Sequence, residues 1–408
     1  MQVGRSGGAG LMDIDIGEIP ERYDAYRQGL RDFIAKNLPE LTFRQRSGLR
    51  APEDPEDVVK LRRWVSGLHD AGYGPRCTDP FEARISVEEL ERTRVPYVLG
   101  NPLVAGAIVH FGTEQQRAFY LPAIASGEHI WTQLFSEPDA GSDLTSLKTR
   151  AVLDGDHYVV SGQKVWSTWA QFSDFGYLLA RIGTGTGRDG ITAFILDMKS
   201  EGVTTRPLRE ITGTTDFNEV FLDEVRIPAE NMIGEAGLGW TVAQASLADE
   251  RGILPGAKER DPAGALVRVA RQRIRAEKLA ITDSAVRQEI GRVAARSRIE
   301  RYLGYQTQTR AAKGQSTVWD APMGKIWFSE LNLETADYAL RLLGGRGMLV
   351  EDEPLAYEDG YWQDTFMYAR SWTIAGGSNE ILRNVIGERG LGLPREPRNK
   401  PNPDSSNK

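Results

Sequence analysis

Hydrophobic side chains recur every three or four positions in the first third of the chain, which is the spacing of amphipathic helices. The predicted helices lie at about 20–38, from Pro55 onward, and at 84–94, 101–111 and 113–122. Thr113 is a good N-cap and Pro122 disfavours continuation, so the last of these helices is predicted to begin and end there. We therefore predict an all-helical N-terminal domain over residues 13–130.

Apolar and polar residues alternate from about residue 145 to residue 233, the period-two pattern of half-buried strands. The alternation continues on both sides of Asp154-Gly155, a turn that favours a β-hairpin. Further strands are predicted at 176–182, 190–198, 202–208 and 218–227. These short, closely connected strands predict a middle antiparallel β domain over residues 131–238.

Helical spacing returns beyond Gly239. The predicted helices lie at about 238–256, 261–279, 283–313, 320–343 and 378–390. They predict a C-terminal helical domain over 239–395. The Pro-, Asn- and Ser-rich residues 396–408 are predicted to form a disordered tail. The fold class is α+β, because a β domain separates two helical ones.

Composition narrows the function classes. The chain has 408 residues with 40% hydrophobic and 26% charged side chains, values typical of a globular protein of two or three domains. A net charge of -7 gives no reason to expect nucleic acid or an anionic membrane as partner. The single cysteine, Cys77, rules out an intrachain disulfide and favours a cytoplasmic location. We predict no metal site, because the four histidines lack ligand spacing, and no membrane span, because no apolar run is long enough.

Two motifs lie one short hairpin apart. The first is Trp131-Thr-Gln-Leu-Phe-Ser-Glu-Pro-Asp-Ala-Gly-Ser-Asp143, and the second is Gly162-Gln-Lys-Val-Trp-Ser-Thr-Trp169. The hairpin brings a small-residue loop and a strand end to the same edge of one sheet. Taken alone, either motif is as consistent with a surface Ser/Gly turn followed by a core tryptophan as with a ligand site.

Together the motifs predict a site for a flat ligand that forms hydrogen bonds. Amides around Gly141 can approach a ring or a phosphate closely, and Trp166 offers an apolar wall to an aromatic system. Three hydroxyl groups can donate or accept hydrogen bonds. They belong to Ser136, Ser142 and Thr168.

These motifs resemble the flavin-binding segments "TEPGAGSD" and "GxKxWITN" of the acyl-CoA dehydrogenase family. The resemblance extends from about residue 20 to residue 395. It includes Phe111–Pro122, which is similar to "GTEEQ…YLP", and Asn218–Pro228, which is similar to the closing strand "FxxVxVPxxNxxG". It implies FAD as cofactor and the family's fold, in which the C-terminal domain is a four-helix bundle.

Two later turns extend the resemblance. Leu343-Gly-Gly-Arg-Gly-Met348 is similar to "LGGxG", which in the family contacts the diphosphate-adenosine half of a flavin held by the neighbouring subunit. As a lone motif it would be a helix C-cap. Trp372–Arg383 is similar to "IYEGTxxIxR". The resemblance implies that flavin contacts come from Gln133, Phe135, Ser136, Gly141, Ser142, Trp166, Thr168, Arg341, Gly344, Gly345, Ser378 and Glu380.

The chain departs from the family pattern at the catalytic base. The family's base is often the Glu of "IYEGT", where this chain has Gly376. Either the base lies elsewhere, the chemistry differs, or the subunit is inactive. Some family members carry the base in a Glu-Arg pair on an earlier helix, and Glu250-Arg251 matches that pair. We expect Glu250 to be the base rather than part of a solvated surface pair.

The resemblance also implies the reaction and its partners. Glu250 would remove the α-proton of an acyl thioester, carried on coenzyme A or a carrier protein, as the β-hydride passes to the flavin. Substrate contacts are expected from Ser142, Arg251, Gly376 and Gly377. The expected assembly is a homodimer or homotetramer, or a heteromer with a homologous chain, that passes electrons to an acceptor such as an electron-transfer flavoprotein.

Departures from the family pattern keep other interpretations open. The loop Gly72–Pro80 is shorter and more polar than the family's Gly-rich loop near the substrate tail, so the resemblance implies no acyl-chain preference. Some relatives with the same scaffold are flavin monooxygenases or oxidases, which is the first alternative. The second is a non-catalytic subunit of a heteromeric dehydrogenase: Val269–Arg275 lacks the family's "RxxFG" flavin contact, which supports it, whereas the intact first two motifs argue against it.

Overall fold

The structure is a computed structural model. It describes residues 19–43, 51–74, 79–253, 261–275 and 277–395, and for residues 80, 247–253, 275, 308, 311 and 312 it describes the main chain alone. The expected tail at 396–408 and Cys77 lie outside these residues, as do residues 13–18 of the expected first domain.

The described N-terminal part is helical, as predicted. Its helices are α1 (Asp24–Asn37), α2 (Pro55–Asp70), α3 (Pro80–Glu91), α4 (Val104–Phe111) and α5 (Glu114–Ser126). Asp54, Asp79 and Thr113 cap α2, α3 and α5 through their side chains, so three of the starts follow from local sequence. Buried Leu30 and Leu61 of α1 and α2 lie in one apolar core.

The predicted end of α5 is wrong. The helix continues through Pro122 to Ser126 and is capped by Gly127, which has a left-handed φ of 73°. Proline removes one N–H donor and disfavours the preceding turn, but a long packed helix can accommodate it. Here the following turn buries Ala123 and Ile124 in the core, so packing outweighs the local preference.

The middle part is a sheet of eight strands. They are β1 (Trp131–Leu134), β2 (Arg150–Asp154), β3 (His157–Thr168), β4 (Phe175–Ile182), β5 (Ile191–Asp197), β6 (Val203–Leu208), β7 (Phe217–Pro228) and β8 (Met232–Ile233). Seven follow one another across the sheet as β6-β7-β3-β2-β4-β5-β8, and β1 pairs with β4. The predicted hairpin is β2–β3, with Asp154 opposite His157.

The prediction of a purely antiparallel sheet is wrong at two pairings. β1 runs parallel to β4, and β2 makes a short parallel pairing with β4. Parallel neighbours cannot be joined by a tight hairpin. Between β1 and β4 the chain forms the first motif loop and the β2–β3 hairpin, and between β2 and β4 it forms β3. This arrangement places the end of β1 beside β3.

The C-terminal part contains α6 (Gly239–Ile253), α7 (Pro262–Gln272), α8 (Ser284–Ala312), α9 (Asp320–Leu343), α10 (Tyr361–Trp372) and α11 (Asn379–Val385). Two predictions need correction. The helix predicted over 261–279 ends at Gln272, because the chain becomes extended at Arg273 and forms a small hairpin, β9 (Ile274–Arg275) with β10 (Lys278–Leu279). In the helix predicted over 378–390, a π-helical turn, Ile386–Gly390, takes the place of the last residues. Helix α10 was not predicted from the sequence.

The fold class is confirmed: helices, then a sheet, then helices. The domain boundaries at 130, 238 and 395 stay a prediction. Within the described residues, no helix is long and apolar enough to span a membrane. Those same residues contain no cluster of three or more His, Cys, Asp or Glu side chains that could hold a metal ion.

Candidate functional site

The two motifs meet where β1 ends and β3 bulges. The N–H of Val165 donates to the carbonyl of Ser136 at 2.9 Å, joining the loop after β1 to β3. The register of β3 against β7 shifts between Lys164 and Ser167. At this bulge Trp166 has a left-handed φ of 61°, and 59% of its surface is exposed. A large aromatic ring in such a conformation is uncommon and is a reason to look for a ligand.

A buried ion pair fixes this junction. The Lys164 ammonium is fully buried and donates to Glu137 Oε1 at 2.8 Å and to the carbonyl of Phe135 at 3.1 Å. The Glu137 carboxylate also accepts from the N–H groups of Lys148, at 2.6 Å, and Thr149, at 2.9 Å. One carboxylate therefore connects the first motif, the start of β2 and the second motif.

The electrostatics of this pair oppose its burial. Burial lowers the pKa of Lys164 to about 8, although the Glu137 carboxylate acts in the other direction. Burial alone would raise the pKa of Glu137, but Lys164 and the N–H donors outweigh it and lower that pKa. Both groups are therefore charged at neutral pH. A charged pair inside the protein is stable only with such complete hydrogen bonding.

The loop that follows is open on its outer side. Glu137 and Ala140 exchange two main-chain hydrogen bonds of 3.0 and 3.1 Å, which turn the loop tightly. Beyond this turn Gly141 and Ser142 are exposed, and a Cβ added to Gly141 would meet no atom within 4 Å. A ligand can therefore approach the main chain of Gly141 closely, as the sequence predicted.

The end of β3 is held by the β6–β7 connection and by the start of β7. The N–H of Trp169 donates to the carbonyl of Asp216 at 2.9 Å, and the Asn218 amide donates to the carbonyl of Ser167 at 3.0 Å. Thr168, between them, is buried, with 7% of its surface exposed. Its position next to Trp166 and the bulge is thus fixed from both sides.

Two predicted residues, Gln133 of β1 and Phe135 directly after it, are less available than expected. Gln133 accepts a hydrogen bond from the Asn101 amide at 3.0 Å. The Phe135 ring is buried against Tyr177, with ring centres 4.8 Å apart. Any ligand contact from Phe135 must therefore come from its main chain. The Phe135 and Tyr177 rings instead form the buried side of the site, called its floor below.

Tyr177 connects this floor to α6. Its hydroxyl lies 3.3 Å from Ser246 Oγ, and both side chains are buried. Helix geometry places position 250 one turn beyond Ser246, about 6 Å further along the axis. Glu250 and Arg251 lie on α6, but their side chains are outside the described residues. The carboxylate position of Glu250 therefore stays a prediction.

A second group of predicted residues lies at the start of α11. Gly376 and Gly377 have left-handed φ values of 67° and 92°, and nothing lies within 4 Å of a Cβ added to Gly376. The Ser378 hydroxyl caps α11 by accepting from the N–H of Ile381 at 3.3 Å. Glu380 is largely exposed. The turn thus presents open main chain where the family has its usual base.

The third group ends α9. Gly344 is left-handed at φ 60°, and both Gly344 and Gly345 are exposed. Arg341 is exposed over the Tyr338 ring, and its Nε donates to the carbonyl of Asp337 at 3.3 Å. Among the described residues, no hydrogen bond joins the third group to the predicted residues of the two motifs around Trp166, which form the first group. A single chain therefore brings together the residues of the first group only.

Sequence analysis missed the residues that hold these groups in place. Glu137 and Lys164 lie inside the two motifs, and the available signal was a lysine in phase with the inward-facing Tyr158 and Val160 of the same strand. Lys325 interrupts an apolar stretch of α9, and its partner Asn379 lies next to the predicted Ser378. Each is buried and bonded across a long sequence separation.

Comparison with known proteins decides the family. Sequence models of the N-terminal, middle and C-terminal domains of acyl-CoA dehydrogenases match residues 20–128, 132–225 and 237–391. The chain belongs to the acyl-CoA dehydrogenase family. It is therefore a flavin oxidoreductase that acts on CH–CH groups, with FAD as its cofactor.

Individual relatives support this assignment. The chain is 34% identical over 391 residues to acyl-CoA dehydrogenase IpdE1 of Mycobacterium tuberculosis, covering 91% of this chain and 98% of that protein. It resembles the solved structure named "Tcur3481-Tcur3483 steroid ACAD" with a TM-score of 0.79 and 26% identity, over 94% of this chain and 100% of the other. The ChsE4-ChsE5 complex of M. tuberculosis gives a TM-score of 0.76 at 26% identity, over 92% and 99%.

The first group of residues fits a flavin. An exposed Trp166 ring, held in a strained conformation, offers a surface for a flat ring system. The Ser136 carbonyl is bonded to the adjacent Val165, Thr168 lies two residues further along β3, and the open main chain at Gly141 leaves space for ligand atoms. At the third group, exposed Arg341 can pair with a diphosphate. The first group therefore suits the flavin ring, and Arg341 suits the diphosphate of an FAD that, by the family resemblance, the neighbouring subunit would hold.

Proposed function

We propose that this acyl-CoA dehydrogenase introduces an α,β double bond into an acyl thioester, with Glu250 as the base. One observation carries the proposal. Gly376 supplies no carboxylate at the family's usual base position, while α6, linked to the site floor through Ser246 and Tyr177, carries Glu250 one turn further on. The Glu250 carboxylate would supply the base that position 376 lacks.

Each residue would have a separate task. Trp166, Ser136 and Thr168 would hold the flavin ring, and Ser142 and Arg251 would orient the thioester. An N–H of the Gly376–Gly377 turn would donate to the thioester carbonyl oxygen and so acidify the α-carbon. Glu250 would remove the α-proton, with a pKa suited to the task if substrate and cofactor exclude water from it. FAD, when bound, supplies the acceptor for the β-hydride.

Anaerobic titration of the purified protein with a panel of acyl thioesters tests this function. The panel should vary chain length, branching and carrier, and should include a steroid acyl thioester, because one structural neighbour is named a steroid ACAD. We expect at least one thioester to remove the absorbance of oxidised flavin. Oxygen consumption only with an added reductase would instead indicate a monooxygenase. Lack of flavin binding by the chain alone would indicate a partner subunit.

We propose that the chain assembles through its C-terminal helices as a dimer or a dimer of dimers, with itself or with a homologous chain. Exposed apolar side chains support a partner surface on this part of the molecule, among them Ile274, Met348 and Ile374. The ChsE4-ChsE5 neighbour is a complex of two chains. An electron-transfer flavoprotein is the proposed electron acceptor. A monomer in light scattering at micromolar concentration would contradict the assembly.

A further inference from the structure

Lys325 lies in the second turn of α9, and only 6% of its surface is exposed. Its ammonium donates to the carbonyl of Gly377 at 2.8 Å and to Asn379 Oδ1 at 2.9 Å. Asn379 also bonds to the Ser329 hydroxyl, one turn along α9. These three buried side chains connect α9 to the turn that precedes α11.

The Gly376–Gly377 turn has little else to hold it. Two successive glycines can adopt many main-chain conformations, and no side chain at position 376 packs against a neighbour. On either side, the main chain is anchored by Ala375 N–H to the carbonyl of Ser371 at 2.8 Å and by Asn379 N–H to that of Thr373 at 2.9 Å. Between these anchors, the bond from Lys325 holds the carbonyl of Gly377.

The N–H groups of the two glycines are left as donors. Among the described residues, neither N–H makes a hydrogen bond, and Gly376 is exposed. An N–H pair of this kind stabilises a developing oxyanion only if it is fixed beforehand. The carbonyl of Gly377 shares its peptide plane with the N–H of Ser378, so its bond to Lys325 fixes the plane that follows Gly377. With the Ala375 N–H bonded on the other side, this limits how far the two intervening planes, which carry the Gly376 and Gly377 N–H groups, can rotate.

A buried ammonium is well suited to this task. Burying it is unfavourable unless its hydrogen bonds are made, so loss of either acceptor is costly and the turn has one strongly preferred arrangement. A neutral donor would allow more alternatives. The charge thus selects a conformation rather than adding general stability.

We propose that Lys325 is a positioning residue that fixes the Gly376–Gly377 turn so that its free N–H groups receive the thioester carbonyl oxygen. This inference rests on the proposed dehydrogenase function for its kinetic consequence. The structural consequence, a fixed turn, holds for the chain without cofactor or substrate.

The experiment compares Lys325→Met with Thr335→Val. Thr335 is a matched control because it is buried on the same helix and, among the described residues, its hydroxyl bonds only to the carbonyl of Leu331 at 2.6 Å. In cofactor-free protein, we expect Lys325→Met to speed amide hydrogen exchange in peptides covering 373–378, and Thr335→Val to leave it unchanged. Ser329→Ala, which loosens Asn379 without removing a charge, should speed exchange less and serves if Lys325→Met does not fold.

In the FAD-loaded enzyme, the rate of flavin reduction by thioester should fall about a hundredfold in Lys325→Met, with little change in KM, because the misplaced donors act mainly in the transition state. A bound 3-oxoacyl thioester should also form less enolate, as its absorbance would show. Unchanged exchange at 373–378, or faster exchange with wild-type reduction rates, would overturn the proposal. Failure of every thioester to reduce the wild-type enzyme would refute the proposed function and leave the exchange test standing.

Discussion

Glu137→Gln is the sharpest test of how the site is held together. The substitution keeps the size of the side chain but leaves Lys164 fully buried without its carboxylate partner. One amide oxygen must then replace two carboxylate oxygens that accept from Lys164, Lys148 and Thr149. The junction of the two motifs loses its only described counter-charge to Lys164.

The expected cost is large. Removing one member of a buried ion pair typically destabilises a protein by about 3–5 kcal/mol. The same contacts fix the loop that carries Ser136 and the bulge that carries Trp166. If loosening of this loop lowers FAD binding by as little as about 1.4 kcal/mol, the affinity falls about tenfold.

The pH dependence distinguishes a buried charge from a general packing defect. In the wild type, the pKa of Lys164 is about 8, below its ordinary value of 10.5. Between these values the unfolded chain binds a proton that the folded chain lacks, so stability rises with pH by about 1.4 kcal/mol per unit. Without Glu137 the pKa of Lys164 should fall further. The stability deficit of Glu137→Gln should therefore shrink as pH rises from 6 towards 8.

The measurement is denaturant unfolding of the cofactor-free protein across this pH range, with FAD titration alongside. Asp139→Asn is the matched control, because Asp139 pairs with Lys148 in the same loop but both side chains are about three-quarters exposed. Such a surface pair should contribute less than about 1 kcal/mol. Glu137→Gln/Lys164→Met should recover much of the stability. A Glu137→Gln protein as stable as Asp139→Asn would refute the reasoning.

Three further predictions concern single side chains. Trp166→Ala should weaken FAD binding about tenfold with little loss of apoprotein stability, since the ring is mostly exposed; calorimetric titration against wild type checks this. Burial and the nearby Asp216 raise the pKa of Glu210 to about 7, so folding takes up a proton between pH 4.5 and 7 and the stability of the protein falls as pH rises through that window. Glu210→Gln should flatten this fall, measured by thermal unfolding across the window. An unchanged slope would contradict the prediction. Glu250→Gln should slow flavin reduction at least about a hundredfold with unchanged FAD content; anaerobic stopped-flow kinetics measure it, and a near-wild-type rate would exclude Glu250 as the base.

Sequence periodicity predicted most of the fold because the relevant signals are local. The hairpin at Asp154-Gly155 and the strands β4 to β7 follow from alternation over a few residues. The errors arise where packing outweighs local preference. Burial of Ala123 and Ile124 extends α5 past Pro122, and the small β9–β10 hairpin ends α7 early. Helix α10 was missed, although Trp362, Tyr368 and Ala369 are buried on one face.

The structure separates residues that can contact a ligand from residues that hold them in place. The first kind, such as Trp166 and Ser136, carries a recognisable local pattern. The second kind does not, because Lys164 and Glu137 are 27 positions apart and Lys325 and Gly377 are 52 apart. No local pattern specifies such pairs. Their existence could be inferred only from a lysine at a position where the periodicity of the element predicts a buried side chain.

Lys164 and Lys325 solve the same physical problem in two parts of the fold. Each ammonium is buried, and each donates to a main-chain carbonyl of a loop that presents ligand-facing groups: Phe135 before Ser136, and Gly377 after Gly376. Apolar residues of similar size could make either region as stable or more so. They could not direct a carbonyl, and therefore could not select one conformation of a glycine- and serine-rich loop. The buried charges are thus better explained by the geometry of the site than by the stability of the fold.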